Sequence, residues 1–231
     1  MCNLYTVRKS IQEVASHFRT KVPTDLPNIT DEIYPGSPGL VARETNGNLV
    51  LQAMTWGRPH RPKGMKETSK PIAVNNIRDV DGYFWKKLAQ DPANRCLIPM
   101  TAFAEADGPK GARTRTWITI EGREIPEWGG LCGPSDAWGN WYSGMMTSAN
   151  EDMTQLHDRM PVFILPEERQ RFLHGTMEDL LYFQNRVFPA GLLKFERTPE
   201  LWVRKKSKPA GEQDDAKPKA AAPEKKVAGK R

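Results

Sequence analysis

Between Gly39 and Thr147 the chain is cut into short apolar runs closed by turn dipeptides, Asn46-Gly47, Asp107-Gly108 and Glu121-Gly122. Runs of this length suit strands better than helices, and Asn-Gly between alternating residues is a strong hairpin signal. The pattern predicts a hairpin over 39–54 and a buried strand through Cys96–Pro99 and Ala102–Glu105. Two further strands are predicted over Trp117–Ile120 and Ile125–Cys132, and another over Trp141–Thr147. Helical spacing is rarer. Ile11, Val14, Ala15 and Phe18 follow a Ser10 cap with Glu13 three residues on, which predicts a first helix. Val80–Gln90 fits a helix with Tyr83, Phe84 and Leu88 inward, Glu151–Leu156 a short one capped by Asn150, and Pro166–His174 another; Val162–Leu165 reads as a strand. Strands at close intervals with few helices predict one α+β domain, with a mixed, partly barrel-like β-sheet core and helices packed outside.

That domain is expected to span residues 1–203. Residues 204–231 carry ten Lys and Arg against four acids and no aromatic residue, the composition of a solvated basic tail. The whole formal charge of +6 resides there, so residues 1–203 are neutral and net charge gives no evidence for a basic binding face. No run approaches the roughly 18 apolar residues of a membrane span, and the start lacks an apolar signal core, which predicts a soluble, cytoplasmic protein. Three cysteines without paired spacing argue against a disulfide framework, and four scattered histidines against a metal site. Neither metal nor organic cofactor is expected, and the chain is expected to be a monomer.

Cys2 is the unusual placement. Removal of Met1 would leave a cysteine with a free α-amine beside its thiol. An α-amine has a pKa of about 7.7–8.0 against about 10.4 for lysine, so far more of it is nucleophilic at neutral pH. It can condense with an aldehyde, and the thiol can then close a five-membered thiazolidine ring on the C=N carbon. Asn76, Glu105 and His157 offer an amide, a carboxylate and an imidazole, each beside a predicted strand end or turn.

Taken in order, Met1-Cys2, Tyr34-Pro35-Gly36, Thr55-Trp56-Gly57, Asn76-Ile77-Arg78, Arg95-Cys96-Leu97-Ile98-Pro99, Phe103-Ala104-Glu105 and His157-Asp158-Arg159-Met160-Pro161 resemble the SRAP family over roughly residues 1–190. These are abasic site processing proteins, first described as SOS response-associated peptidases. The resemblance implies that mature Cys2 attacks the ring-opened aldehyde of an abasic site in single-stranded DNA, giving a thiazolidine crosslink that shields the lesion. It implies nucleoid association when bound to DNA. By position it makes Asn76 a hydrogen-bonding partner near the linkage. Glu105 becomes the acid/base for the sugar and for leader removal, and His157 the proton carrier for Schiff-base formation and reversal. Arg78 and Arg159 are candidate phosphate ligands, and Trp56 and Pro59 candidates to stack on or wedge against flanking bases.

Two positions depart from the family pattern: Leu4, where many members have Arg, and Ala106, where an aromatic residue often follows the Glu. Blander roles stand beside the sharp ones. His157 would be a structural histidine, Glu105 a salt-bridge partner of Arg95 or Arg78, and Arg78 and Arg159 surface ion pairs. Cys96, Cys132, Trp85, Trp117 and Trp141 read as core. Two rival functions remain at this stage, an amino-terminal-nucleophile cysteine hydrolase and a noncatalytic single-strand binding module.

Overall fold

The computed structural model describes residues 2–202. The expected loss of Met1 and the tail over 204–231 lie outside the described residues. Strand β1 (Tyr5–Thr6) leads into helix α1 (Ile11–Phe18), whose start is fixed by reciprocal bonds: Ser10 Oγ accepts the Glu13 N–H, and Glu13 accepts the Ser10 N–H. Val14, Ala15 and Phe18 form its buried stripe, as the spacing predicts. After β2 (Glu32–Ile33), β3 (Pro38–Thr45) and β4 (Asn48–Trp56) form the predicted hairpin. Asn46 and Gly47 both take positive φ, 51° and 74°, the turn whose twist suits two paired strands.

Next come β5 (Arg58–His60) and β6 (Ile72–Val74), paired across a basic loop, and β7 (Asn76–Ile77). Helix α2 is confined to Lys86–Ala89. Tyr83, expected inward on a helix over 80–90, is instead wholly exposed on the turn before it. Val80, Tyr83, Phe84 and Leu88 are spaced like a helix stripe there, but backbone turns at Gly82 intervene.

The sheets follow as β8 (Arg95–Pro99), β9 (Ala102–Asp107), β10 (Thr114–Ile120), β11 (Glu127–Gly133), β12 (Trp141–Ser148), β13 (Arg159–Pro161) and β14 (Phe163–Ile164). Helices α3 (Arg169–His174) and α4 (Met177–Asn185) and strand β15 (Leu193–Leu201) complete the order. A five-stranded sheet runs β15-β10-β9-β1-β2. The larger sheet runs β13-β12-β4-β3-β8-β11-β14, and because β11 also pairs with β12, strands β12, β4, β3, β8 and β11 close into a ring. The fold is therefore α+β with a ring-like β core, as expected. Closure removes the unpaired edges that an open sheet exposes.

Two connections differ from the simple reading. Cys96–Glu105 is not one strand: Met100 bonds to Pro126 and Thr101 to Thr6, handing the chain from the ring to the smaller sheet. The Glu121-Gly122 turn likewise joins strands of different sheets. Inside the ring, Tyr5, Trp56 and Trp128 meet edge to face at centroid distances of 5.0–6.2 Å, each ring burying a large apolar area. Among the described residues no helix is long and apolar enough to cross a membrane, and no group of three His, Cys, Asp or Glu is placed to hold a metal ion.

Candidate active site

The start of the chain is held against β9 by backbone pairing. Tyr5 lies opposite Phe103, and the Ala104 N–H donates to the Leu4 carbonyl over 2.9 Å. Strand alternation then puts Phe103 and Glu105 on one face of β9 and Ala102 and Ala104 on the other. This register carries Cys2 to the end of β9 that bears Glu105. Cys2 is fully buried, with Sγ 3.6 Å from the Leu4 carbonyl.

Two side-chain amides hold the Cys2 carbonyl. Asn76 Nδ2 donates over 2.8 Å and Asn75 Nδ2 over 2.9 Å, and Asn75 also reaches Asn3 Oδ1 at 3.2 Å. Asn76 opens β7, which pairs in parallel with β12 and sets Asn76 beside Gly144, and Asn75 is the residue just before it, its carbonyl accepting the Gly144 N–H over 3.0 Å. Gly144 has to be glycine: a Cβ there would sit about 2.0 Å from the Trp128 ring, whose Nε1–H donates to the Met145 carbonyl. The Asn76 amide oxygen is buried with no hydrogen-bond partner among the described residues.

Trp56 corrects an expectation. It has no exposed surface, so it cannot stack on a base. Its ring packs on Tyr5 and Trp128, and its Nε1–H donates to the Asn75 carbonyl over 3.2 Å. The tryptophan holds the backbone at Asn75, directly before the strand that Asn76 opens. The ring closes over it because strand β4, which it ends, pairs with both β3 and β12.

Glu105 is 4% exposed, and burial, with the nearby Asp158 charge adding to it, pushes its carboxyl up to about 7. Burial first, and the charge of Glu105 second, raise the Cys2 thiol far above its ordinary range. His157 is moved the other way, its imidazolium made more acidic chiefly by burial. The Arg159 backbone N–H lies 3.0 Å from His157 Nδ1, while Asp158 Oδ1 lies 2.9 Å from the same nitrogen. The first contact needs a lone pair and the second a proton. The lowered pKa keeps the ring neutral at neutral pH, so Nδ1 serves one contact at a time: with the proton on Nδ1, toward Asp158, the Nε2 lone pair is open as a base, and with the proton on Nε2 that nitrogen is a donor. A carboxyl poised near 7 and a neutral imidazole make an acid and a base.

Glu105 and His157 line one cleft of about 420 Å³ with Asn3, Ala106, Arg113 and Trp202. Cys2, Asn76, Glu105 and His157, widely spaced in sequence, are linked in a chain: Asn76 bonds the Cys2 carbonyl, Cys2 feels the Glu105 charge, and Glu105 and His157 line the cleft, which Cys2 and Asn76 do not. Arg159 joins through its backbone bond to His157 and is half-buried, whereas Arg78 is exposed just after Asn76. Pro59 is half-buried in β5, opposite Ala73, and neither Pro59 nor Arg78 lines the cleft. The alternative of a Glu105–Arg95 pair fails: Arg95 is buried elsewhere, donating to the Phe172 and Gly175 carbonyls at 2.9 and 2.8 Å. Three site residues escaped sequence reasoning. Asn75 was signalled only by its identity with its neighbour, Arg113 by nothing in its polar turn, and Trp202 lies beyond the motifs.

The same arrangement of sheets occurs in solved structures. A protein of Bordetella bronchiseptica superposes with a TM-score of 0.69 at 20% identity, over 85% of this chain and 99% of that one. A Bacteroides thetaiotaomicron protein gives 0.68 at 12% identity, over 85% and 91%. A phage-related protein from B. bronchiseptica gives 0.64 at 16% identity, over 88% and 95%. At these identities the likeness speaks for the fold alone. None of the curated proteins compared matches this chain. The family profile described as SOS response associated peptidase (SRAP) matches residues 1–195, the stretch that contains Cys2 and every strand and helix converging on it, and the chain belongs to that family.

Proposed function

We propose that this protein captures abasic sites in single-stranded DNA by forming a thiazolidine through Cys2. Once Met1 is gone, the Cys2 α-amine adds to the C1′ aldehyde of the ring-opened deoxyribose, giving a carbinolamine. Loss of water gives the Schiff base. The thiol sulfur then bonds to the same carbon, the C=N π electrons pass to nitrogen, and the thiol proton ends on that nitrogen, so no oxidant or reductant is needed.

Each residue has a task that its environment supports. Ring opening of the hemiacetal and departure of water from the carbinolamine both need a proton donor, which a carboxyl titrating at about 7 supplies at neutral pH. Neutral His157 accepts the amine or thiol proton, a service the buried thiol needs because it does not ionise unaided. The amides on the Cys2 carbonyl fix the direction of its α-carbon, hence of the amine and thiol together. Arg159 and Arg78 supply positive charge for the strand's phosphates, with shielding of the lesion in the DNA damage response as the outcome.

The observation that carries this reading is a doubly anchored Cys2 close enough to Glu105 to feel its charge, with Glu105 sharing a cleft with His157. The peptidase of the family name fits a narrower task, hydrolysis of the Met1–Cys2 bond at the same site. A general cysteine hydrolase is disfavoured, since burial and the Glu105 charge oppose a standing thiolate. Denaturing electrophoresis with an oligonucleotide carrying one abasic site tests the proposal, with intact mass confirming Met1 removal. A heat-stable adduct requiring both the lesion and Cys2 is expected. DNA binding that survives Cys2→Ala and shows no preference for the lesion would favour the noncatalytic module.

A further inference from the structure

The cleft holding Glu105 and His157 has polar walls and one aromatic side chain, Trp202. Trp202 follows the last strand, β15, and its place is fixed by two kinds of contact. Its backbone N–H donates to the Arg113 carbonyl over 2.8 Å. Its ring packs on a small apolar cluster of Leu4, Ala102, Ala104 and Trp117, on the opposite face of β1 and β9 from the aromatic core. Trp202 itself stays only half-buried. Trp202 thus packs on the cluster that includes Leu4 while it still borders the cleft.

The surroundings suit a nucleobase. Ala106, paired with Arg115 of β10, lines the cleft next to Glu105 with only a methyl group. Arg113, whose carbonyl accepts the Trp202 N–H, lines the same cleft and contributes a cation to it. Farther along this face, the Arg8 guanidinium lies 5.2 Å from the Trp117 ring centre, adding a second positive charge to the apolar patch. A flat ring packed on apolar side chains, in a cleft that an arginine also lines, is the combination that stacks a base and holds its phosphate. Stacking is indifferent to base identity, which suits a lesion that arises in any sequence.

We infer that Trp202 is the stacking platform for a nucleotide adjoining the abasic site, with Arg113 as the cation for its phosphate. This rests on the function proposed above. Leu4 has a part in the design, since an apolar residue at that position is what the inner face of the indole packs on.

The test compares Trp202→Leu, which keeps apolar packing against Leu4 but cannot stack, with Trp202→Phe, which retains a ring. Two readouts are taken on each purified full-length protein. Fluorescence anisotropy gives affinity for undamaged single-stranded DNA, and single-turnover crosslinking gives the half-saturating concentration of abasic DNA. Base-on-aromatic stacking is worth about 1–3 kcal/mol, so Trp202→Leu is expected to weaken both by about fivefold or more, with the maximal crosslinking rate unchanged and Trp202→Phe largely restored. A 2-aminopurine beside the lesion should be quenched by the wild type and not by Trp202→Leu. Wild-type affinity in Trp202→Leu, or a Trp202→Phe as weak as the Leu variant, overturns the inference while leaving the crosslinking chemistry intact. A wild type that binds and crosslinks no DNA overturns both.

Discussion

The side-chain amide of Asn75 donates to the Cys2 carbonyl oxygen over 2.9 Å, sharing that oxygen with Asn76 at 2.8 Å. Both lone pairs of the carbonyl are thereby engaged, and the residue that must present an amine and a thiol to one carbon has little rotational freedom left. Asn75 touches no reacting atom in this arrangement; it is a positioning residue. Replacing it by Leu is expected to lower the maximal crosslinking rate roughly tenfold, with half-saturation by DNA unchanged. Asn75→Asp, equal in shape but with no donor, should fall equally. A variant that lost affinity with its maximal rate preserved would move Asn75 into the DNA contact instead.

Glu105 is expected to cost stability in return for its acid. An ordinary Glu releases its proton near 4.3, whereas the folded protein holds this one until about 7. Between those values the native state binds more protons than the unfolded chain, so stability falls as pH rises and levels off above 7. Glu105→Gln removes that loss. The variant should therefore match the wild type near pH 4 and exceed it at pH 8 by on the order of 3 kcal/mol, measured by urea denaturation at both values. A constant difference across pH would mean that Glu105 ionises normally in the fold.

The same two pKa shifts set a pH profile for the reaction. On the alkaline side the rate should fall through about 7 as Glu105 loses the proton it donates, and Glu105→Gln should flatten that limb while lowering the rate roughly a hundredfold. On the acid side two groups must be deprotonated, the Cys2 amine and His157, whose pKa lies below its usual value. The slope of log rate against pH should approach two at low pH. His157→Ala should reduce it to one, because only the amine then titrates. An unchanged slope would assign His157 a structural task.

Much of this site was legible before any coordinates, because backbone chemistry and short-range patterns encode it. The Ser10–Glu13 box and the Asn46-Gly47 turn are local, and both stand as predicted. Strand existence was equally local, but strand partnership was not: nothing in residues 96–105 announces that the chain changes sheets at Thr101, since that depends on distant Thr6 and Pro126. Strand β15 hid for a physical reason. It borders the small sheet and carries Lys194, Glu196, Arg197 and Glu200, so it lacks the apolar alternation of a half-buried strand, and its charges guard an open edge. With it went Trp202. Cys2, Asn76, Glu105 and His157 were visible as chemical types, while Asn75 became visible only when its amide was seen on Cys2.

Trp56 gives the sharpest contrast between reading a residue by type and by place. A tryptophan in a motif next to an exposed basic loop invites a stacking role, yet its ring is enclosed by Tyr5 and Trp128 and its N–H is given to the Asn75 carbonyl. Two consequences separate these roles. Trp56→Phe removes the donor and leaves a small void, which should destabilise the fold by about 1–3 kcal/mol. With the Asn75 carbonyl released, the crosslinking rate should fall in the same direction as in Asn75→Leu, and combining Trp56→Phe with Asn75→Leu should cost less than the sum, since both act through the placement of Asn75. Affinity for undamaged single-stranded DNA, measured by anisotropy well below the variant's melting temperature, should stay at the wild-type value. A stacking residue would do the reverse, losing affinity and sparing both stability and maximal rate.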